Sequence, residues 1–220
     1  MKDNFTWDFI NIYRTEWLKT RKTLAFWLVL LYPLLCTLLV SLKFLSDKQQ
    51  PSEPWAEYIK EANNVMSFFL PHFCILIVSF ATQIEYKNYG WKQIYSQPVS
   101  RTSIFLGKYV MLLSMTILSM IVAFFIIYFT GLIIHLIKPG LNFQITGFAF
   151  DTYLRLFFQT FLASIFIITL QYWICLRIKG FLPPIIAGIF FTIIPIAYMM
   201  ILGISGLIQK GKDVFRIFEY

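Results

Sequence analysis

The chain is 220 residues long, 58% hydrophobic and 19% aromatic, with 14% charged residues and a formal net charge of +8. A soluble domain carries about a quarter charged residues, so this composition excludes an ordinary soluble protein and points to one that lives in a bilayer. The surplus Lys and Arg lie between apolar runs, where they set orientation and meet lipid head groups; no basic face with a groove-reading element suits a nucleic acid.

The opening segment, residues 1–22, reads as an amphipathic helix. At 100° per residue, Phe5, Phe9, Ile10, Ile12, Tyr13 and Trp17 share one arc of about 160°. Asn4, Asp8, Asn11, Arg14, Thr15 and Lys19 face away, and Thr6 and Glu16 are exceptions on the apolar arc. Such a helix, joined directly to a span, suits the plane of the membrane interface; packing against a partner protein is the other reading. It is followed by five apolar runs at 23–42, 65–84, 109–134, 153–176 and 181–202. About 20 apolar residues cross the roughly 30 Å hydrocarbon core as a helix. A lone apolar strand cannot satisfy its backbone in lipid, and no alternating barrel pattern is present. The expected fold class is therefore an all-α integral membrane protein, a polytopic helical bundle. The first run is too long for a signal-peptide core and no small-residue cleavage site follows it.

Lys and Arg favour the N-terminus inside, because Arg14, Lys19, Arg21 and Lys22 crowd the first span and Lys87, Lys92, Arg101 and Lys108 flank the second connection on the same side. That connection, residues 85–103, contains EYKNYGWKQIYSQPVSR from Glu85 to Arg101. A short helix is expected over 86–95, interrupted by Gly90 and closed before Pro98. Trp91 and Tyr95 are i,i+4 neighbours with Ile94 beside them, while Lys87, Asn88 and Lys92 keep the rest wet. The strip suits two uses equally: docking in a protein groove through aromatic anchors, or resting on lipid head groups.

Within the spans, polar residues are the functional pointers, because they are unfavourable in lipid without partners. His72, Ser114, Ser119, Gln159 and Gln171 are the candidates for a substrate path, against the blander reading as hydrogen-bond glue within the bundle. Phe124, Phe125, Tyr128 and Phe129 are expected to face lipid or a second subunit, and Pro33, Pro183, Pro184 and Pro195 to kink or break helices at membrane depth. Cys36, Cys74 and Cys175 all fall in apolar runs, with no disulfide or zinc pattern. His72 and His135 have no second ligand type at metal spacing. No catalytic or metal-binding set is present. GLIQKGKD at Gly206–Asp213 imitates a phosphate loop, but Asp213 stands where Ser or Thr should hold magnesium and no strand precedes it.

The pattern of Glu85, Gly90, Pro98, Ser100, Arg101 and Lys108, E-x4-G-x7-P-x-S-R-x6-K, resembles the first cytoplasmic loop of ABC-2 type permeases, the membrane subunits of bacterial ATP-binding-cassette exporters. EWLKTRKTLAFWLVLLYPLL, with Glu16, Lys19, Arg21 and Pro33, is similar to the elbow helix and first span of that family, in particular of small lantibiotic-immunity permeases that remove antimicrobial peptides. The resemblance implies that 85–103 is a coupling loop docking on a separate ATPase subunit through Glu85, Tyr89, Gly90, Trp91, Lys92, Ile94, Tyr95, Pro98 and Arg101, with Arg101 and Lys108 anchoring the third span at the head groups. It further implies a homo- or heterodimer with a second permease, contact with membrane lipid, ATP and Mg bound by the partner and no cofactor in this chain. The location implied is the bacterial cytoplasmic (inner) membrane, multi-pass, with no enzymatic chemistry in this subunit.

The family norm is six spans, against five here, and the tail 203–220 is expected outside, leading toward a sixth. A five-span variant is the other possibility. The competing function is a non-transporting membrane anchor that recruits a cytoplasmic partner; an integral membrane enzyme acting on lipids has no catalytic set to support it.

Overall fold

A computed structural model describes residues 5–46, 52–87, 100–141, 143, 147–178 and 180–194, apart from the side chains at 5–8 and 85–87. The helices follow in the order α1 (Phe5–Thr20), α2 (Leu24–Ser46), α3 (Pro54–Lys87), α4 (Arg101–Ile137), α5 (Phe150–Arg177) and α6 (Leu182–Ile194), with a 3-10 turn at Pro139–Leu141. No strand occurs among the described residues. Helices α2, α3, α4 and α5 are each long and apolar enough to cross a membrane, and each satisfies its backbone internally, as hydrocarbon requires. The fifth expected span is described as α6 as far as Ile194; Pro195 and the tail 203–220, with its phosphate-loop look-alike, lie outside the described residues.

Several helices outrun the apolar segments that announce them. Helix α4 has 37 residues, a rise of about 55 Å against a hydrocarbon core of roughly 30 Å. The helix is therefore longer than the core is thick, and α1 lies against its first turns. Helix α4 starts where Ser100 caps it: Ser100 is extended, with φ −66° and ψ 137°, and its side chain accepts from the Ser103 amide at 3.1 Å, satisfying one orphan donor of the first turn.

The inner faces follow the rules of packing in lipid. Helix α2 turns Leu24, Trp27, Leu31, Leu34, Leu38 and Leu42 outward and buries Ala25, Val29, Pro33, Cys36, Thr37, Val40 and Ser41. Lipid tails are as apolar as Leu, so helix association rests on close backbone approach between small residues and on interhelical hydrogen bonds. Helix α2 packs on α3 and α4, and α3 lies along α5.

Proline leaves its mark at two levels. Pro33 has no amide proton to give to Val29, one turn back; the Ser119 hydroxyl of α4 donates to that carbonyl instead, at 3.0 Å. Pro183 and Pro184, by contrast, sit in the first turn of α6 and start the helix rather than break it. The first four amides of a helix have no intrahelical acceptor, so proline is tolerated there. Gly180, with φ 110°, makes the turn that precedes them.

At the end of the bundle opposite α1, an aromatic knot closes the helices. Trp55 stacks on Tyr128 at 5.9 Å and meets Phe143 and Phe148 edge-on, each at 5.1 Å, while Phe124 meets Tyr153 at 5.2 Å. Phe124 and Tyr128, expected toward lipid or a second subunit, are thus partly buried inside this knot, whereas Phe125 and Phe129 are exposed. The aromatic rings prefer one another's edges, and the connection after α4 folds back to supply Phe143 and Phe148. Tyr58 is fully buried and bonds both Ser41 of α2, at 2.7 Å, and Thr130 of α4, at 2.8 Å.

Candidate functional site

Two places gather the chemistry. The first is the junction where α1 crosses the beginning of α4 and the end of α3. Glu16 Oε2 lies 3.0 Å from Lys108 Nζ and Glu16 Oε1 lies 2.7 Å from Lys19 Nζ. The side chains of Glu16 and Lys108 are only 7% and 2% exposed, so the pair is desolvated. Lys108 Nζ also donates to the Ala81 carbonyl of α3 at 3.3 Å. One ammonium therefore ties three helices. Burial works against the Glu16 carboxylate, but the Lys108 ammonium, joined by Lys19, outweighs it and holds the carboxyl below its ordinary value.

Around the pair the helices approach closely. A Cβ on Gly107 would lie 2.7 Å from Ile12 Cγ2, so glycine leaves room for α1 to lie on α4. Tyr13 donates to Ser114 Oγ at 3.2 Å, and Ser114 passes its own proton to the Met111 carbonyl at 2.7 Å. The apolar arc of α1 is thereby divided: Ile12, Tyr13 and Trp17 face α4 or the core, while Ile10 stays exposed. Part of the surface expected to rest on lipid is instead an intramolecular contact. Lys108, expected at the head groups, is likewise in the interior, because an oppositely charged partner is waiting there.

This junction brackets the charged strip. Helix α3 continues through Glu85 to Lys87, past the expected start of the loop, and Arg101 is the exposed first residue of α4. The side chain of Glu85, and Tyr89, Gly90, Trp91, Lys92, Ile94, Tyr95 and Pro98 altogether, lie outside the described residues.

The second place is a cleft of about 510 Å³ among α3, α5 and α6, lined by residues that include Phe68, Pro71, His72, Ile75, Phe166, Gln171, Gly188 and Phe191. Two of the five expected substrate-path residues, His72 and Gln171, meet here. The others are placed elsewhere: Ser114 under α1, Ser119 on the Val29 carbonyl, and Gln159 exposed on α5. Gln171 is 1% exposed. Its amide nitrogen donates to the Pro184 carbonyl at 3.0 Å and lies 3.4 Å from Ser79 Oγ, which fixes which end of the amide is which. Its Oε1 has no hydrogen-bond partner among the described residues, and neither has His72 Nδ1. Gly188 makes the room: a Cβ there would stand 2.6 Å from Gln171 Oε1 and 2.8 Å from Ile75 Cγ1.

The Glu16–Lys108 pair is the feature that sequence reasoning did not assemble. Its signal was present in two halves, a carboxylate on an apolar arc and a lysine followed at once by an apolar run, each costly alone at the edge of lipid. Gly188 carried no signal, since its role exists only once α6 lies on Gln171.

The fold and these two sites define a multi-pass, all-α membrane protein with a charged junction on one side and a cleft between its spans. A family model described as ABC-2 family transporter protein matches residues 12–195, from within α1 past the end of α6. The chain belongs to this family and is a membrane-spanning permease component of an ABC transporter. No curated protein and no solved structure matches the chain.

Proposed function

We propose that this chain is the permease subunit of an exporter, working as a dimer with itself or a similar permease in the bacterial cytoplasmic membrane, with α1 and the 88–99 strip on the inner side. ATP and Mg are held by two copies of a separate ATPase subunit, which grips the strip through Tyr89, Trp91, Ile94 and Tyr95. This chain needs no cofactor and performs no bond chemistry. The substrate is hydrophobic or amphipathic, and antimicrobial peptides are the class suggested by the likeness to immunity permeases.

The observation that carries this reading is the buried Glu16–Lys108 pair with its bond to Ala81. The strip is anchored at one end by α3 and at the other by α4, and the pair fastens both to α1. A force on the strip then moves these three segments together, as a rigid body rather than as a loose loop. Helix α3 carries that displacement from Lys87 back to His72 in the cleft, about 22 Å along a helix. Expulsion of a bound molecule follows when the wall of the cleft supplied by α3 shifts against α5 and α6.

The test is copurification from mild detergent, comparing the native protein with the double substitution Trp91→Ala and Tyr95→Ala, followed by an ATPase assay. A nucleotide-binding subunit that accompanies the native chain and is lost or uncoupled in the variant supports the reading. If no ATPase is bound, or the variant keeps it fully coupled, the strip is an interfacial loop.

A further inference from the structure

We propose that the α3/α5/α6 cleft binds an uncharged amphipath with a hydrogen-bond donor in its head, such as a long-chain alcohol, which enters sideways from the bilayer. As a substrate assignment this rests on the permease reading; as a binding site it stands on this chain alone.

The size fits, since about 510 Å³ falls within the roughly 300–1,000 Å³ of small-molecule pockets. The mouth is aromatic: Phe68, Phe166 and Phe191 line the cleft and are 58%, 69% and 55% exposed. All three belong to helices in the apolar part of the molecule, so an occupant arrives through lipid. Farther in stands Gln171, whose orientation is settled by its bond to Pro184. The carbonyl oxygen is therefore the free end, and it can only accept. A buried acceptor without a donor is unfavourable, and a ligand hydroxyl or amide N–H removes that cost. His72, on the α3 wall of the same cleft, supplies a second buried nitrogen without a hydrogen-bond partner among the described residues.

Charge decides the rest. Among the described residues no Asp, Glu, Lys or Arg lines the cleft, so an ammonium or a carboxylate would enter the membrane interior without a counter-ion from them, which is unfavourable. A neutral donor meets the unsatisfied acceptor with no such cost. Gly188 is part of the construction, because any side chain there presses on Gln171 Oε1.

The experiment uses the full chain in lipid nanodiscs, with an oleyl alcohol that carries a photoactivatable diazirine on its chain and mass-spectrometric mapping of the label. Label is expected on the cleft residues of α3, α5 and α6. Oleyl alcohol is expected to compete about tenfold better than oleyl methyl ether, which has no donor, the difference one good hydrogen bond makes; oleylamine should compete poorly. Gln171→Leu should erase the preference for the alcohol, with His72→Phe and Gly188→Ala as further variants should that protein fail to fold. Label spread over the outer leucines of α2, equal competition by the ether, or cleft labelling unchanged in all folded variants overturns the proposal. The assay contains no ATPase, so loss of the coupling reading leaves its outcome intact, and the reverse.

Discussion

Glu16 on α1 and Lys108 on α4 form a 3.0 Å ion pair with both side chains withdrawn from solvent, at the place where the charged strip between α3 and α4 begins and ends. Removing one member leaves the other as a buried charge without its partner, which costs about 3–5 kcal/mol, whereas replacing both by groups of similar shape is close to neutral. Lys19 remains to compensate Glu16 in part. Lys108→Met is therefore expected to lower the thermal unfolding midpoint in detergent strongly, and Glu16→Gln with Lys108→Met to recover most of it. The double variant should nonetheless lose stimulation of the partner ATPase, since α1 no longer travels with α3 and α4. A stable, fully coupled double variant would remove the pair from the transmission path.

The same pair sets a pH dependence. The Glu16 carboxyl is held below its ordinary value of 4.5 in the folded protein, so its contribution is present above the unfolded value and is lost as pH falls through the folded one. The difference in unfolding midpoint between the native chain and Glu16→Gln should be constant from about pH 8 to pH 5 and should shrink below 4.5. A difference that already fades between pH 7 and 5 would contradict the depressed carboxyl.

Pro33 and Ser119 form a second coupled pair. Ser119→Ala leaves the Val29 carbonyl without a donor in the bundle interior and should cost about 1 kcal/mol, in the range of interhelical bonds in membranes. Pro33→Ala restores an amide for that carbonyl, so in its presence the Ser119→Ala change should cost much less. A double-mutant cycle in a urea or SDS unfolding assay reads the difference directly; additive costs would mean that Ser119 serves Val29 for another reason.

Glycine contacts offer a graded check of the packing. A Cβ at Gly131 would fall 2.5 Å from Trp55 Cζ3, in the aromatic knot, while at Gly107 it would meet the end of the Ile12 side chain at 2.7 Å. The indole is rigid and boxed in by Tyr128, Phe143 and Phe148; Ile12 can rotate away. Gly131→Ala is expected to destabilise by about 1–3 kcal/mol, the usual cost of overpacking, and Gly107→Ala by less. Equal effects in a thermal unfolding comparison would argue against the knot.

Much of the architecture was legible without coordinates. Hydropathy is a local, additive property, and a run such as 109–134 declares a membrane helix whatever lies beside it. The ends were less legible: α3 and α4 extend well outside their apolar runs because their outer turns are stabilised by neighbours, as where Tyr58 holds α2 and α4. Pro183 and Pro184 read as breaks until their place in the first turn of α6 was visible.

The sequence by itself determined that this protein is an all-helical membrane protein, that its permease family could be recognised from spaced residues around Glu85–Arg101, and that His72 and Gln171 were polar groups needing a reason. Only the tertiary structure decided which of the five candidate path residues share a cavity, why a glutamate interrupts the apolar arc of α1, and that Lys108 faces inward rather than toward head groups. The physical reason is that periodicity tells which face of a helix a residue occupies but not which helix that face meets. A buried charge or an unsatisfied amide acquires its meaning from a neighbour remote in sequence, and that neighbour is chosen by the packing of the whole bundle.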